Sequence, residues 1–173
     1  MTGAYVTATE LLAELEHRDP TAFLACLRAL KDAGDGQSLR PKDPRAAIAP
    51  LERAYRVFAS VPSARCLQGV CAADLAAAHG QLGEDDTAAA YAREAVTLVS
   101  GIGRFAGTEA SANMTLGVCL HHDGDAEGAR TCFNLARRLF RALPDGAEYV
   151  ALVDRNEAIL AAGRRRWWQF WKA

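Results

Sequence analysis

The stretch 125–140, "DAEGARTCFNLARRLF", decides the fold because two related stretches precede it at a constant distance. The earlier copies are 84–99, "EDDTAAAYAREAVTLV", and 43–58, "DPRAAIAPLERAYRVF", so the numbers of equivalent positions differ by 41 each time. In register, the copies share apolar residues in four columns: Ala47, Ala88 and Ala129; Ala54, Ala95 and Ala136; Leu51, Ala92 and Phe133; Val57, Leu98 and Leu139. A period of about 20 to 50 residues is typical of an array of stacked units.

The stretches between these copies repeat as well, and apolar residues recur there every three or four positions. The matching residues are Leu75 and Leu116; Ala76, Gly117 and Ala158; Gly83 and Gly124. This periodicity is typical of α-helices, whereas no long stretch alternates apolar and polar residues as a strand would. The sequence therefore predicts an all-α protein, with helices near residues 5–17, 20–33, 44–60, 62–81, 84–100, 105–122, 125–142 and 146–163.

Several predicted helix ends carry residues suited to them. Asp43 and Asp145 are expected to cap the helices that follow, and Pro44 suits a first helical position. Three glycines fit the left-handed conformation that ends helices: Gly34, Gly83 and Gly124. The segment 34–44, "GDGQSLRPKDP", interrupts the repeat and predicts a surface loop, with a binding loop as the alternative.

The stretch 116–136, "LGVCLHHDGDAEGARTCFNLA", carries a resemblance to a known family. It places a Leu-Gly pair, an apolar residue, a Gly-Asp turn and then a small–large–small series at Ala129, Phe133 and Ala136. This pattern resembles the tetratricopeptide repeat (TPR) family, and 75–95 is a weaker copy. The resemblance implies a right-handed solenoid of about four antiparallel helical hairpins. It covers 43–163 most clearly, and we expect a TPR-like domain over 1–163 followed by a tail at 164–173.

In TPR proteins the first helix of each hairpin lines a concave face that binds extended peptides. The usual period is about 34 residues, so a period of 41 implies about two extra helical turns per hairpin. Carried over residue by residue, the resemblance places these side chains on the concave face: Asp74, Gln81, Ser111, Met114, Thr115, His121, His122, Arg155 and Asn156. Only Arg155 and Asn156 match the pattern with which family members clamp a C-terminal carboxylate.

Enzyme chemistry has one candidate, the cluster "HHDGD" at 121–125. Its imidazoles and carboxylates could bind a metal ion, but adjacent helical residues point about 100° apart and seldom share one ion. The repeat explains the same stretch as a turn capped by Asp125. Cys119 and His122 could form a nucleophile and a base, but the sequence identifies no third group. We therefore expect no catalysis, no metal and no cofactor.

The five cysteines indicate a reducing compartment. They are odd in number and form no CxxC pair, so we expect reduced thiols that pack as small apolar residues: Cys26, Cys66, Cys71, Cys119 and Cys132. The sequence begins without the basic and apolar regions of a signal peptide, and it has no apolar run of about 18 residues. These features predict a cytoplasmic protein.

The tail concentrates the aromatic and cationic side chains of the chain. All three tryptophans lie there, and the candidate docking residues are Arg164, Arg165, Arg166, Trp167, Trp168, Phe170 and Trp171. The chain has 20 basic and 21 acidic residues, and four of the basic ones are in the tail. The remainder therefore has 16 basic against 21 acidic residues, a net charge of about −5. Such a surface repels phosphate backbones, so nucleic acid is not an expected partner.

Four interpretations of the tail remain open. It could cap its own array, as solenoid ends require. It could dock on another protein or on a second copy, since Trp and Arg dominate binding hot spots. It could rest transiently at a membrane surface, with indoles at headgroup depth. Stacking on single-stranded nucleic acid is the fourth interpretation, disfavoured by the charge.

The sequence predicts a non-catalytic module for protein–protein interaction, an adaptor or scaffold that uses the concave face and the tail. Its expected partner is another protein or a peptide, and a homodimer through the tail is one form of this. A regulatory module that senses a peptide or small ligand in the groove is the first alternative. A metal-dependent enzyme that uses the turn at His121 and His122 is the second.

Overall fold

A computed structural model describes the backbone of residues 2–162 and the side chains of residues 8–162. The described part consists of helices joined by turns and contains no strand, so the prediction of an all-α protein is confirmed. The helices are α1 (Thr2–Arg18), α2 (Pro20–Leu39), α3 (Pro44–Ser60), α4 (Arg65–Gln81), α5 (Asp85–Val99), α6 (Ala106–His122), α7 (Ala126–Arg141) and α8 (Gly146–Ala161). Single 3-10 turns at Pro62–Ala64 and Gly103–Phe105 precede α4 and α6.

The period of the sequence reappears in the helix boundaries. Helices α3, α5 and α7 begin at Pro44, Asp85 and Ala126, at equal intervals along the chain. Helices α4 and α6 begin at Arg65 and Ala106, which are separated by the same interval. The positions at which helices begin therefore recur at the spacing of the sequence repeat.

Each helix packs mainly on its neighbours in the chain. The pairs α2 and α3, α4 and α5, and α6 and α7 make the most extensive contacts, and α3 with α4 and α5 with α6 join one pair to the next. Helix α4 also lies beside α6. Helix α1 contacts α2, α4 and the two 3-10 turns, and Glu10 accepts a hydrogen bond of 2.7 Å from Arg104.

The core is built from the columns that the repeat predicts. The residues of the first three columns are at most 2% exposed: Ala47, Ala88, Ala129, Ala54, Ala95, Ala136, Leu51, Ala92 and Phe133. The fourth column, with Val57, Leu98 and Leu139, is half-buried. Equivalent positions are therefore buried to a similar degree in successive helix pairs.

Gly117 sets the distance between α6 and α7. A Cβ atom there would lie 2.9 Å from Cε1 of Phe133, so a larger residue would displace the ring. Gly83 and Gly124 have φ angles of 76° and 88°, the left-handed conformation predicted for them. Such φ values favour glycine because they strain residues with a Cβ atom.

The segment 34–44 differs from the sequence prediction. Helix α2 does not end at residue 33 but runs to Leu39, and Gly34 lies inside it without a positive φ. The predicted loop is reduced to a turn over residues 40–43. The cause is tertiary packing, since a Cβ atom at Gly36 would lie 2.5 Å from Cγ of Leu51 in α3. Two glycines therefore stay helical because one of them is packed against a neighbouring helix.

The predicted caps are confirmed in part. Asp43 accepts a hydrogen bond of 3.0 Å from the backbone N–H of Ala46, and Asp125 accepts one of 2.8 Å from Gly128. Asp145 stands at the cap position of α8, but its side chain makes no capping hydrogen bond. No helix among the described residues is long and apolar enough to cross a membrane.

Candidate functional site

The residues predicted for a concave face differ widely in exposure. Met114, Thr115 and Asn156 are 1% exposed, and Gln81 is also buried. Ser111, His121, His122 and Asp74 are half-buried, and Arg155 is exposed. In this arrangement the three most buried side chains lie between helices, where an incoming ligand could reach them only if the helices moved apart.

Asp74, Thr115 and Asn156 form a polar column at equivalent positions of the repeat, inside α4, α6 and α8. Asp74 accepts a hydrogen bond of 2.7 Å from Nε2 of Gln37 and lies 3.5 Å from a guanidinium nitrogen of Arg40. Burial raises the pKa of Asp74, while Arg40 and then Gln37 oppose the increase. This contact ties α4 to the end of α2, so Asp74 has a structural role here.

Asn156 is the member of this column whose side-chain amide lacks hydrogen-bond partners. Its side chain is 1% exposed, and neither its amide oxygen nor its amide nitrogen has a hydrogen-bond partner among the described residues. A buried amide without partners costs free energy, typically about 1 to 3 kcal/mol. Asn156 is therefore less completely satisfied than Asp74, which occupies the equivalent position of α4.

His122 and Asp85 form an imidazole–carboxylate pair between α6 and α5. Nδ1 of His122 lies 2.8 Å from Oδ2 of Asp85. The other polar atom of each side chain, Nε2 of His122 and Oδ1 of Asp85, is buried and has no hydrogen-bond partner among the described residues. The pair fixes the orientation of the imidazole and leaves one donor or acceptor site on it unused.

A second pair of the same kind lies at the turn between α4 and α5. Nδ1 of His79 lies 2.5 Å from Oε2 of Glu84, and Arg45 of α3 lies 3.7 Å from the other carboxylate oxygen. The His79 ring stacks on Tyr91, with centroids 5.6 Å apart and planes 14° from parallel. These contacts hold the turn against α3 and α5.

A cavity of about 320 Å³ opens beside the His122–Asp85 pair. It lies between the first half of α5 and the end of α6, and its lining residues are Asp85, Asp86, Ala89, Arg93, Cys119, Leu120, His122 and Asp123. Three carboxylates face one guanidinium, so the lining favours a cationic group over an anion. We call this space the α5–α6 cavity.

The α5–α6 cavity lacks an activated nucleophile. Cys119 is buried, and burial, with a smaller contribution from Asp85, raises its pKa to about 12. The thiol is therefore protonated near neutral pH, and thiolate is the reactive form. His122 does not activate it, because Nε2 has no hydrogen-bond partner among the described residues.

The neighbouring histidines do not converge on one point. The rings of His121 and His122 are 6.4 Å apart, with planes 67° from parallel. Within residues 8–162, no group of three or more His, Cys, Asp or Glu side chains is placed to hold a metal ion. The geometry of the described residues therefore gives the metal interpretation of 121–125 no support.

Sequence reasoning missed the carboxylate partners of His79 and His122. Asp85 is 37 residues from His122, and its type and position suit an ordinary first turn of a helix. The repeat offers one signal, because His122 and Gln81 occupy equivalent positions and both are polar and largely enclosed. The tail residues Arg164–Arg166, Trp167, Trp168, Phe170 and Trp171 lie outside the described residues.

Comparisons of the chain with protein-family models, with curated proteins and with solved structures find no significant match.

Proposed function

We propose that this chain is a non-catalytic protein-interaction module, an adaptor built as a right-handed, TPR-like solenoid of about four helical hairpins. The repeated helix boundaries and the equal burial of the repeated columns support an array of stacked hairpins. Arrays of this kind present long surfaces suited to peptides and proteins. The free thiols support a reducing compartment such as the cytoplasm.

The observation that carries the proposal is the α5–α6 cavity. It opens between two successive helix pairs, and it holds a buried carboxylate oxygen of Asp85 without a hydrogen-bond partner among the described residues. An arginine or lysine side chain of a bound peptide would supply the missing donor and meet Asp86 and Asp123 beside it. We therefore propose a basic peptide segment of another protein as the ligand.

A peptide library tests this proposal. Peptides that contain one arginine or lysine in neutral surroundings should bind more tightly than the same peptides with citrulline or acetyl-lysine. The variant Asp85→Asn with Asp86→Asn should lose this preference. Glu16→Gln with Glu127→Gln removes the same charge from exposed positions elsewhere and is the matched control. Equal loss in both variants, or no preference in the wild type, would refute a specific cationic site.

A sensor of a small ligand is a second candidate function, favoured by the same enclosed polar atoms. Nε2 of His122 and Oδ1 of Asp85 could bind one small molecule that carries both a donor and an acceptor. Thermal-shift measurements with a library of small cationic metabolites would separate the two functions. Stabilisation that His122→Ala removes would favour the sensor, since the peptide proposal depends mainly on the carboxylates.

A further inference from the structure

Helix α8 exposes a face that its equivalents α4 and α6 bury. Two sets of equivalent residues, in the order α4, α6 and α8, are Gly69, Ala110 and Ala151; and Ala76, Gly117 and Ala158. In each set the first two residues are buried and the residue of α8 is exposed. The face that is buried in α4 and in α6 is therefore exposed in α8, the last described helix.

In α4 and α6 this face receives large apolar side chains from the helix that follows in the chain. A Cβ atom at Gly69 would lie 2.6 Å from Cγ1 of Val99 in α5, and one at Gly117 would lie 2.9 Å from Cε1 of Phe133 in α7. Small residues on the first helix thus leave the space that a bulky side chain of the following helix fills.

The open face of α8 carries small residues as well. Its exposed residues include five alanines: Ala147, Ala151, Ala158, Ala161 and Ala162. Tyr149, on the other side of the helix, is 48% exposed and stacks on Phe140 of α7, with ring centroids 5.1 Å apart. The same face also carries Asp154 and Arg155, which are exposed although the equivalent residues of α4 and α6 are buried. The alanines leave space beside these longer side chains, into which another segment could reach.

We propose that the segment 164–171 of the same chain covers this face of α8, with its aromatic side chains on Ala151 and Ala158. These side chains would pack on α8 as Val99 packs on α4 and Phe133 packs on α6. The proposal rests on the repeated array proposed above, and it assigns to the tail the capping of its own fold.

The distances permit this arrangement. Along α8, at about 1.5 Å per residue, Ala158 lies about 6 Å and Ala151 about 17 Å before Ala162. An extended chain spans up to about 3.3 Å per residue, so Trp167 can reach about 17 Å from Ala162 and Trp171 about 30 Å. Both alanines are therefore within reach without any change in α8.

The charges favour the same occupant. Arg137 of α7 binds two carboxylates of α8, Asp154 at 2.7 Å and Glu157 at 2.6 Å, so one negative charge remains in that group. Glu148 adds a further exposed carboxylate on α8, against Arg155 as the exposed cation. On α8 itself three carboxylates stand against one arginine, while the further exposed cations Arg138 and Arg141 belong to α7. The negative charge of α8 would attract Arg164–Arg166, which directly precede the aromatic residues.

Tryptophan fluorescence tests the proposal, because every indole of the chain lies in the segment. Wild-type emission should be blue-shifted and protected from iodide at every protein concentration at which the chain sediments as a monomer. Ala158→Glu should shift the emission to the red and raise the iodide quenching constant several-fold. Ala90→Glu, on the exposed side of α5, should leave both values unchanged.

Three outcomes would overturn the proposal. Wild-type emission like that of free indole would show an uncovered segment, and protection that appears only as the chain dimerises would assign the cover to a second copy. Equal emission from the wild type and Ala158→Glu would place the indoles elsewhere. Circular dichroism checks that the variant remains helical, and Ala151→Glu replaces it if it unfolds. Because the lining of the α5–α6 cavity includes no residue of α8, peptide binding measured on the same variants reports on the proposed function separately.

Discussion

Nδ1 of His122 lies 2.8 Å from a carboxylate oxygen of Asp85, a residue 37 positions earlier, and this contact joins the end of α6 to the start of α5. The adjacent His121 makes no side-chain hydrogen bond to the described residues, although its ring lies 6.4 Å from that of His122. Of these two neighbouring histidines, only His122 therefore links α6 to α5 through its side chain.

Single alanine substitutions at the two histidines should differ in their effect on stability. His122→Ala leaves Oδ2 of Asp85 without its partner, and we expect the free energy of unfolding to fall by about 1 to 2 kcal/mol. His121→Ala should change it by less than about 0.5 kcal/mol, as substitutions outside specific contacts usually do. Urea denaturation followed by circular dichroism measures both. Equal losses would contradict the assigned contact.

Two glycines of α2 should respond to alanine in opposite directions. A Cβ atom at Gly36 would collide with Leu51, so Gly36→Ala should destabilise the protein by about 1 to 3 kcal/mol. A Cβ atom at Gly34 would meet nothing within 4 Å, and Gly34→Ala should stabilise it by about 0.4 to 1 kcal/mol. Thermal unfolding of the two variants checks the difference. A gain in both would show that α2 and α3 are farther apart than described.

Asp74 should make stability depend on pH. Burial raises its pKa in the folded state above the ordinary value of about 3.9, so the folded chain binds the proton more tightly than the unfolded chain does. As the pH falls from 7 through the raised pKa, the wild type should therefore gain stability relative to Asp74→Asn. The gain should level off below about pH 4, where the unfolded chain is protonated too.

Unfolding free energies of the wild type and Asp74→Asn between pH 4 and 7 measure this difference. The variant Asp145→Asn removes one carboxylate at an exposed position and is the control. A wild-type advantage that shrinks as the pH falls would mean that the ion pair with Arg40 outweighs burial.

Cysteine alkylation should distinguish buried from accessible thiols. Burial raises the pKa of Cys71, and it raises that of Cys119 to about 12, so neither side chain supplies thiolate at pH 8. In the native protein we expect iodoacetamide to modify the half-buried Cys66 first. Peptide mass spectrometry before and after denaturation measures the order. Rapid native labelling of Cys119 would contradict its burial and would revive the nucleophile interpretation of the α5–α6 cavity.

The sequence by itself determined the all-α class and the interval at which the helices repeat. The columns headed by Ala47 and Ala54, the cap at Asp43 and the turns at Gly83 and Gly124 were all predictable, and the structure places them as expected. These features depend on contacts within a few residues, on the periodicity of apolar side chains and on the conformational freedom of glycine.

Only the tertiary structure decided the extent of α2 and the contents of the candidate site. The sequence predicts a loop at residues 34–39, yet these residues are helical because Gly36 packs directly on Leu51. Asp85 became a partner of His122 only when α5 and α6 came together, and the same packing formed the α5–α6 cavity. Such contacts join residues far apart in the chain, and local propensity cannot predict them because their free energy arises only when the helices pack together.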